Sequence, residues 1–225
     1  MTIRIATFAA VLATAVTGQA FGHGDVAPQA MDVSTLPAIE GDWLTENPYR
    51  VAAVGEEVWA EAVRIGASGY NQNCARCHGL ESISGGLAPD LRFLEAEEYG
   101  DEWYVERFRE GYTQNGITKM PAFGDLLGQE AAWAIRTYIE TRPDDQAIEE
   151  ITPELAALRD GLSDGSADGS DAAARLAEIA AGIETLSGAP LADSVAFRAA
   201  NALTADPTAT AKAAEILTIG LSAAK

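Results

Sequence analysis

Apolar residues recur at helical spacing in several separate stretches of the chain, and strand-like alternation carries no weight in it. Residues 56–78, EEVWAEAVRIGASGYNQNCARCH, read as a helix broken near Gly66. Residues 101–111 make a short helix with Trp103, Val105 and Phe108 on one side, ended by Gly111. Residues 129–142 set Ala131, Ile135, Tyr138 and Ile139 at helical spacing, and Pro143 ends the run. Between these two helices, QNGITKMPAFGDLL carries Gly and Pro at loop positions.

Beyond Pro143 the composition shifts. Alanine-rich helical stretches follow at 152–162, 172–186, 193–203 and 209–221, with few aromatics. In the second of them Leu176, Ile179, Ile183 and Leu186 line one face. Residues 143–150 are acidic, and 159–173 read as a Gly/Ser/Asp linker. At the other end, residues 23–48 are rich in Pro, Asp and Gly without periodicity and read as an extended arm. The expected class is therefore all-α. The expected division is a signal peptide at 1–22, the arm at 23–48, one domain at 49–143, and an acidic linker with an alanine-rich helical region at 144–225.

The first residues change the picture by suggesting a compartment. Arg4, the apolar run at 5–16 and the small residues after it read as a secretory signal peptide. Cleavage fits after Gly22, with Ala20 at the minus-three position, or after Ala20 itself. The apolar run is too short to span a bilayer comfortably, and residues 211–224 are apolar but short and charged, so stable membrane insertion is not expected. A formal charge of -19 argues against nucleic acid and anionic membrane surfaces as partners. It suits a partner protein with a cationic patch.

The only two cysteines stand in Cys74-Ala-Arg-Cys77-His78, the C-x-x-C-H pattern of c-type haem attachment. Thiols one helical turn apart reach the two vinyl groups of a haem, and the following imidazole reaches the iron from the same side. A disulfide between them would close a tiny loop and stabilise little. A closed zinc site needs four ligands, and the chain has two Cys and two His, one of them at position 23. A thioredoxin-like motif needs a βαβ setting that is missing here. The acidic run from Asp164 resembles a calcium loop superficially, but the register puts Arg175 where a bidentate Glu is required.

Iron takes an axial ligand opposite His78, or is left open for chemistry. Met120, in TKMPAFG beside the stiffening Pro121, is the expected ligand; His23 or Met31 would need the arm to fold over the haem. His78 needs an acceptor for its other ring nitrogen, and the Pro89 carbonyl in GGLAPDL can serve. Arg50, in NPYR, has a planar fork suited to a haem propionate; it is otherwise an ordinary surface arginine.

Gly66, Tyr70, the C-x-x-C-H motif, Pro89, Met120 and then Ile135 with Tyr138 follow in the order of a class I cytochrome c, which the chain resembles. The resemblance implies that Gly66 and Tyr70 meet Ile135 and Tyr138 where the first and last helices cross. It sharpens over residues 23–142, where HGDVAPQAMD, NPYR, IGASGYNQNCARCHGLESISGGLAPDLR and AAWAIRTYIETR closely resemble the periplasmic cytochromes c of PQQ-dependent (quinoprotein) ethanol dehydrogenase systems. It implies a periplasmic electron carrier with one covalent haem c. The donor would be a PQQ-dependent alcohol dehydrogenase, and the acceptor a terminal oxidase or another cytochrome. A general carrier between a bc1-type complex and an oxidase, and a haem enzyme or sensor with an open iron, are the competing readings. Arg64, Arg76 and Arg92 stand against Glu81 and Asp90 near the motif, so a near-neutral haem rim is expected, with the acids of 95–106 and beyond 140 orienting the molecule from the side.

Overall fold

The structure, a computed structural model, describes residues 28–223. The signal peptide and His23 lie outside the described residues. The elements run α1 (Val51–Asn73), α2 (Ala75–His78), α3 (Glu98–Glu110), β1 (Tyr112–Gln114), β2 (Ile117–Met120), α4 (Gly124–Glu140), α5 (Asp145–Asp164), α6 (Gly169–Gly182), α7 (Val195–Ala205) and α8 (Thr210–Ala223). The all-α expectation holds, with one short ribbon added.

Two apolar cores organise the described chain. The first gathers α1, α3 and α4 around Tyr49, Tyr70, Tyr104, Phe108, Trp133, Ile135 and Tyr138. Its centre is the crossing of α1 on α4. A Cβ at Gly66 would overlap the Ala134 carbonyl and sit 2.9 Å from Tyr138 Cβ, so only glycine lets the two backbones meet. The helix stays continuous there. Its break falls at Gly55, with φ 75°, and the expected break near Gly66 is corrected accordingly. On α3 the buried face is Asp101, Tyr104, Val105 and Phe108, while Trp103 is half-buried.

The arm forms no helix or strand between residues 28 and 50 but is tied down along its length. Asn73 grips Gln29 through both its amide atoms, at 2.7 and 3.2 Å. Tyr49 is buried and donates to the Pro37 carbonyl, and the Asn47 backbone N–H donates to Asp101 at 2.8 Å.

The second core belongs to α5–α8, with α5 against α8, α8 against α7, and α7 against α6. Leu155, Leu162, Leu176, Leu203 and Leu217 interleave with alanines that let the helices approach closely. The acidic stretch after Pro143 is helix α5 and not a linker, begun by Asp144, whose carboxylate accepts from Gln146 N–H. Only residues 165–168 turn between α5 and α6. There Asp164 accepts from Ser166 N–H, and Asp168 accepts from Ser170 and Asp171 N–H. These carboxylates serve as turn and cap acceptors, which suits no calcium loop. The α6–α7 connection, residues 183–194, lies as a strap on the first body: Asp144 N–H donates to Glu184 O and Ala96 N–H to Ser187 O, each at 3.0 Å.

Candidate functional site

Cys74 ends α1 and starts α2, and Cys77 and His78 complete that single turn. Cys77 N–H and His78 N–H donate to the Cys74 carbonyl at 3.1 and 3.0 Å. Both thiols are free, Cys77 exposed and Cys74 half-buried. Burial, reinforced by the neighbouring Cys77, pushes the Cys74 thiol up to about 12. A thiol held neutral is a poor zinc or redox thiolate. It is well placed to become a thioether, which carries no charge.

His78 is buried, and its Nδ1 lies 2.8 Å from the Pro89 carbonyl oxygen. A carbonyl only accepts, so Nδ1 carries the proton and the lone pair rests on Nε2. Burial holds the imidazole below the ordinary histidine pKa, against the opposing pull of the Pro89 carbonyl and Asp90. A neutral ring with Nε2 open is the form that binds iron. The loop that presents Pro89 is closed by its own side chains. Ser84 Oγ donates to Ala88 O, Asp90 pairs with the buried Arg92 at 2.6 Å, and Arg92 reaches the Pro143 carbonyl at 3.2 Å.

Past His78 the chain turns sharply. Gly79 has φ 83°, and a Cβ there would overlap the Ile83 carbonyl. Glu81 (φ 56°) and Ser82 (φ 63°) are also left-handed without being glycine. Each such residue costs on the order of 1–3 kcal/mol and persists only where the surroundings over-determine it. Tyr70, fully buried, donates to the Gly79 carbonyl at 2.9 Å and packs against Tyr138 with ring centroids 5.3 Å apart and the planes tilted by 46°.

Met120 ends β2 and packs, half-buried, against the same first core as Cys74. Its ribbon leaves α3 at Gly111 and turns at Asn115–Gly116, with φ 53° and 75°; Phe123 N–H then returns to the Phe108 carbonyl at 2.8 Å. The Asn-Gly pair between Gln114 and Ile117 is a strong hairpin signal that the loop reading passed over. Met31 packs its thioether over Gly69 of α1, against the first core.

Arg50 stands elsewhere. From Gly55 to Cys74 the helix rises about 28 Å, at 1.5 Å per residue. The Arg50 guanidinium is committed to Asp101 at 2.6 Å and Glu140 at 2.8 Å. Arg50, expected at a propionate, makes this pairing, which also takes in Arg136, bonded to Asp101 at 2.8 Å and fully buried. The sequence offered no periodic signal for that network, because its members lie on three separate elements.

Among the described residues no group of three or more His, Cys, Asp and Glu side chains could hold a metal ion. The attachment turn brings together two thiols one helical turn apart and, directly after them, an imidazole whose Nδ1 is bonded to Pro89. It fits a covalently held haem.

Comparison with known proteins agrees with this chemistry. Residues 61–139 match the family model described as cytochrome c oxidase, cbb3-type, subunit III. Cytochrome c550 of Pseudomonas aeruginosa is 51% identical over 122 residues, covering 54% of this chain and 82% of that protein. Quinohemoprotein alcohol dehydrogenase ADH IIB of Pseudomonas putida is 35% identical over 99 residues, covering 42% of this chain and 14% of the enzyme. Quinohemoprotein alcohol dehydrogenase ADH-IIG of the same organism is 32% identical over 84 residues, covering 37% of this chain and 11% of the enzyme. No solved structure matches the chain.

Proposed function

Since this chain belongs to the class I c-type cytochromes, electron-transfer proteins that hold haem c covalently and are not enzymes, we propose that it works in the periplasm, taking single electrons from a PQQ-dependent alcohol dehydrogenase and passing them to a terminal oxidase or another cytochrome. One observation carries the choice of donor. The chain resembles a small part of each of two quinohemoprotein alcohol dehydrogenases, over 99 and 84 residues. A carrier built like a segment of such an enzyme is suited to exchange electrons with one.

In this reading Cys74 and Cys77 would hold the haem as thioethers, and His78 Nε2 and Met120 Sδ would donate to its iron. A haem held there would supply one-electron chemistry. Pro89 fixes the His78 ring through Nδ1. Tyr70 and Tyr138 keep the attachment turn packed against the helix crossing. A thioether ligand favours the ferrous state and raises the potential. Two protein ligands of this kind would leave the iron no open site for a substrate.

The surface around the attachment motif suits brief encounters. Leu80 and Leu87 are 65% and 77% exposed. The local acids Glu81 and Asp90 are neutralised by Arg142, Arg198 and Arg92. The molecule's charge of -19 is thus carried away from this rim, on other surfaces that steer the approach. The test mixes purified holoprotein with a quinoprotein alcohol dehydrogenase and its alcohol and follows haem reduction. Prompt reduction, slowing as salt rises, is the expected result. A haem that stays oxidised there, yet is reduced by a bc1-type complex, would hand the role to a general carrier.

A further inference from the structure

The strained turn after His78 is held from both bodies of the molecule. Arg142, fully buried at the end of α4, bonds the Glu81 carboxylate at 2.6 Å and lies 4.3 Å from the Tyr138 ring centroid. The Tyr138 hydroxyl reaches the same carboxylate at 3.5 Å. Arg142 also donates to the Asp193 carbonyl at 2.9 Å, on the strap between α6 and α7. One turn into α7, Arg198 reaches Glu81 at 3.3 Å while its Nε pairs with the Asp193 carboxylate at 3.2 Å. Two cations and two anions therefore meet at one point, contributed by the turn, the end of α4, the strap and α7. Arg142, Asp193 and Arg198 all lie beyond residues 61–139, the stretch that matches the family model.

We propose that the C-terminal bundle is a positioning element of the haem site: Arg198 and Asp193, with Arg142, hold Glu81 and so fix the Gly79–Ser82 turn behind the proximal histidine. The turn carries two adjacent left-handed residues that do not hold themselves. Its Gly79 carbonyl is the acceptor for Tyr70, and Gly79 follows His78 directly. A fixed turn keeps the imidazole in one orientation through both oxidation states, which keeps the structural change accompanying each electron small. The bundle then does more than add solubility; it completes the wall on one side of the site. This inference rests on His78 as the iron ligand.

The test uses full-length holoprotein with Arg198→Ala. Amide exchange at Gly79 and Ile83 reports on the polypeptide at the two ends of the turn, where Gly79 N–H is bonded to Ala75 O at 2.8 Å and Ile83 N–H to Leu80 O at 3.0 Å. The expected result is exchange about two- to fivefold faster at these amides, the ratio that partly exposed ion pairs carry. A lower reduction potential should accompany it, because a cation beside the site has gone, and Arg198→Lys should restore both. Arg175→Ala is the control: Arg175 pairs with Glu154 and Glu178 inside the bundle and makes no contact with Glu81. If Arg198→Ala leaves either the exchange or the potential unchanged, or if Arg175→Ala changes both equally, the bundle does not position the turn. Loss of covalent haem from the unsubstituted protein would instead undo the site assignment, a failure visible in its absorption spectrum.

Discussion

The two cores of the molecule are built on opposite plans. The first is aromatic and heavily polar inside: Tyr70, Tyr104, Phe108, Trp133 and Tyr138 are buried with Arg92, Asp101, Arg136, Glu140 and Arg142. The second is leucine, isoleucine and alanine, with no buried aromatic residue and no buried charge among the described residues of α5–α8. Buried ion pairs contribute little net stability, because desolvation offsets the attraction. What they supply is a fixed geometry, since each guanidinium has one set of acceptors. The body that must hold a rigid cofactor is specified by direction, and the body that only has to stay folded is specified by area.

Removing the cofactor's anchors is the strongest way to break this contrast. Cys74→Ser with Cys77→Ser is expected to abolish covalent haem retention. The pigment should pass into acidified organic solvent, whereas the unsubstituted protein keeps it. Thermal unfolding followed by circular dichroism should then show the first body weakened and the α5–α8 transition little changed.

The reverse experiment targets the bundle. Leu176→Ala removes a side chain with 0% exposure and leaves a cavity, at a cost of about 2–5 kcal/mol. Denaturant titration should show the loss in the bundle transition, with the visible haem spectrum intact. At the helix crossing, Gly66→Ala forces a methyl into the Ala134 carbonyl, at a cost of about 1–3 kcal/mol from overpacking. That loss should appear in the haem-bearing body and leave the bundle transition in place. Equal sensitivity of both transitions to either substitution would mean that the two cores unfold as one.

How much of this could be read beforehand follows the same division. The attachment motif, the Ile135 and Tyr138 face and the Leu176–Ile179 stripe were legible because local spacing encodes them. The Pro89 acceptor was also legible, since a ligating histidine requires one and few candidates follow it. The ion pairs of Arg50 were not legible, because an isolated arginine does not reveal its partners, and Asp101 and Glu140 lie 51 and 90 residues away. The Gly/Ser/Asp stretch at 159–173 reads as a linker by composition, yet α5 extends to Asp164 and α6 begins at Gly169, because tertiary packing and aspartate caps outweigh weak helix propensity. The Asn115–Gly116 hairpin signal is only two residues long and sits in a segment with no apolar alternation.

The smallest expected effect is a pH dependence confined to the contact between the two bodies. Burial alone would raise the Glu81 carboxyl, but Arg142 and Arg198 outweigh it and hold the pKa below the ordinary 4.5. The group is therefore charged in the folded protein at pH values where the unfolded chain has begun to take up a proton. Its contribution is fully present above pH 4.5 and is lost as the pH falls through the lower, folded value. Because Glu81 is 34% exposed, solvent screening limits that contribution to about 0.5–1 kcal/mol. Glu81→Gln cannot ionise, so its stability should vary less between pH 5 and pH 3 than that of the unsubstituted protein, roughly the acid range of carboxylates. Leu176→Ala, which touches neither Glu81 nor its arginines, should keep the full acid dependence while losing more stability at every pH. An acid limb that is identical in Glu81→Gln and the unsubstituted protein would place the titrating contact elsewhere, with Asp90, whose carboxyl Arg92 holds low against burial, as the group to test next.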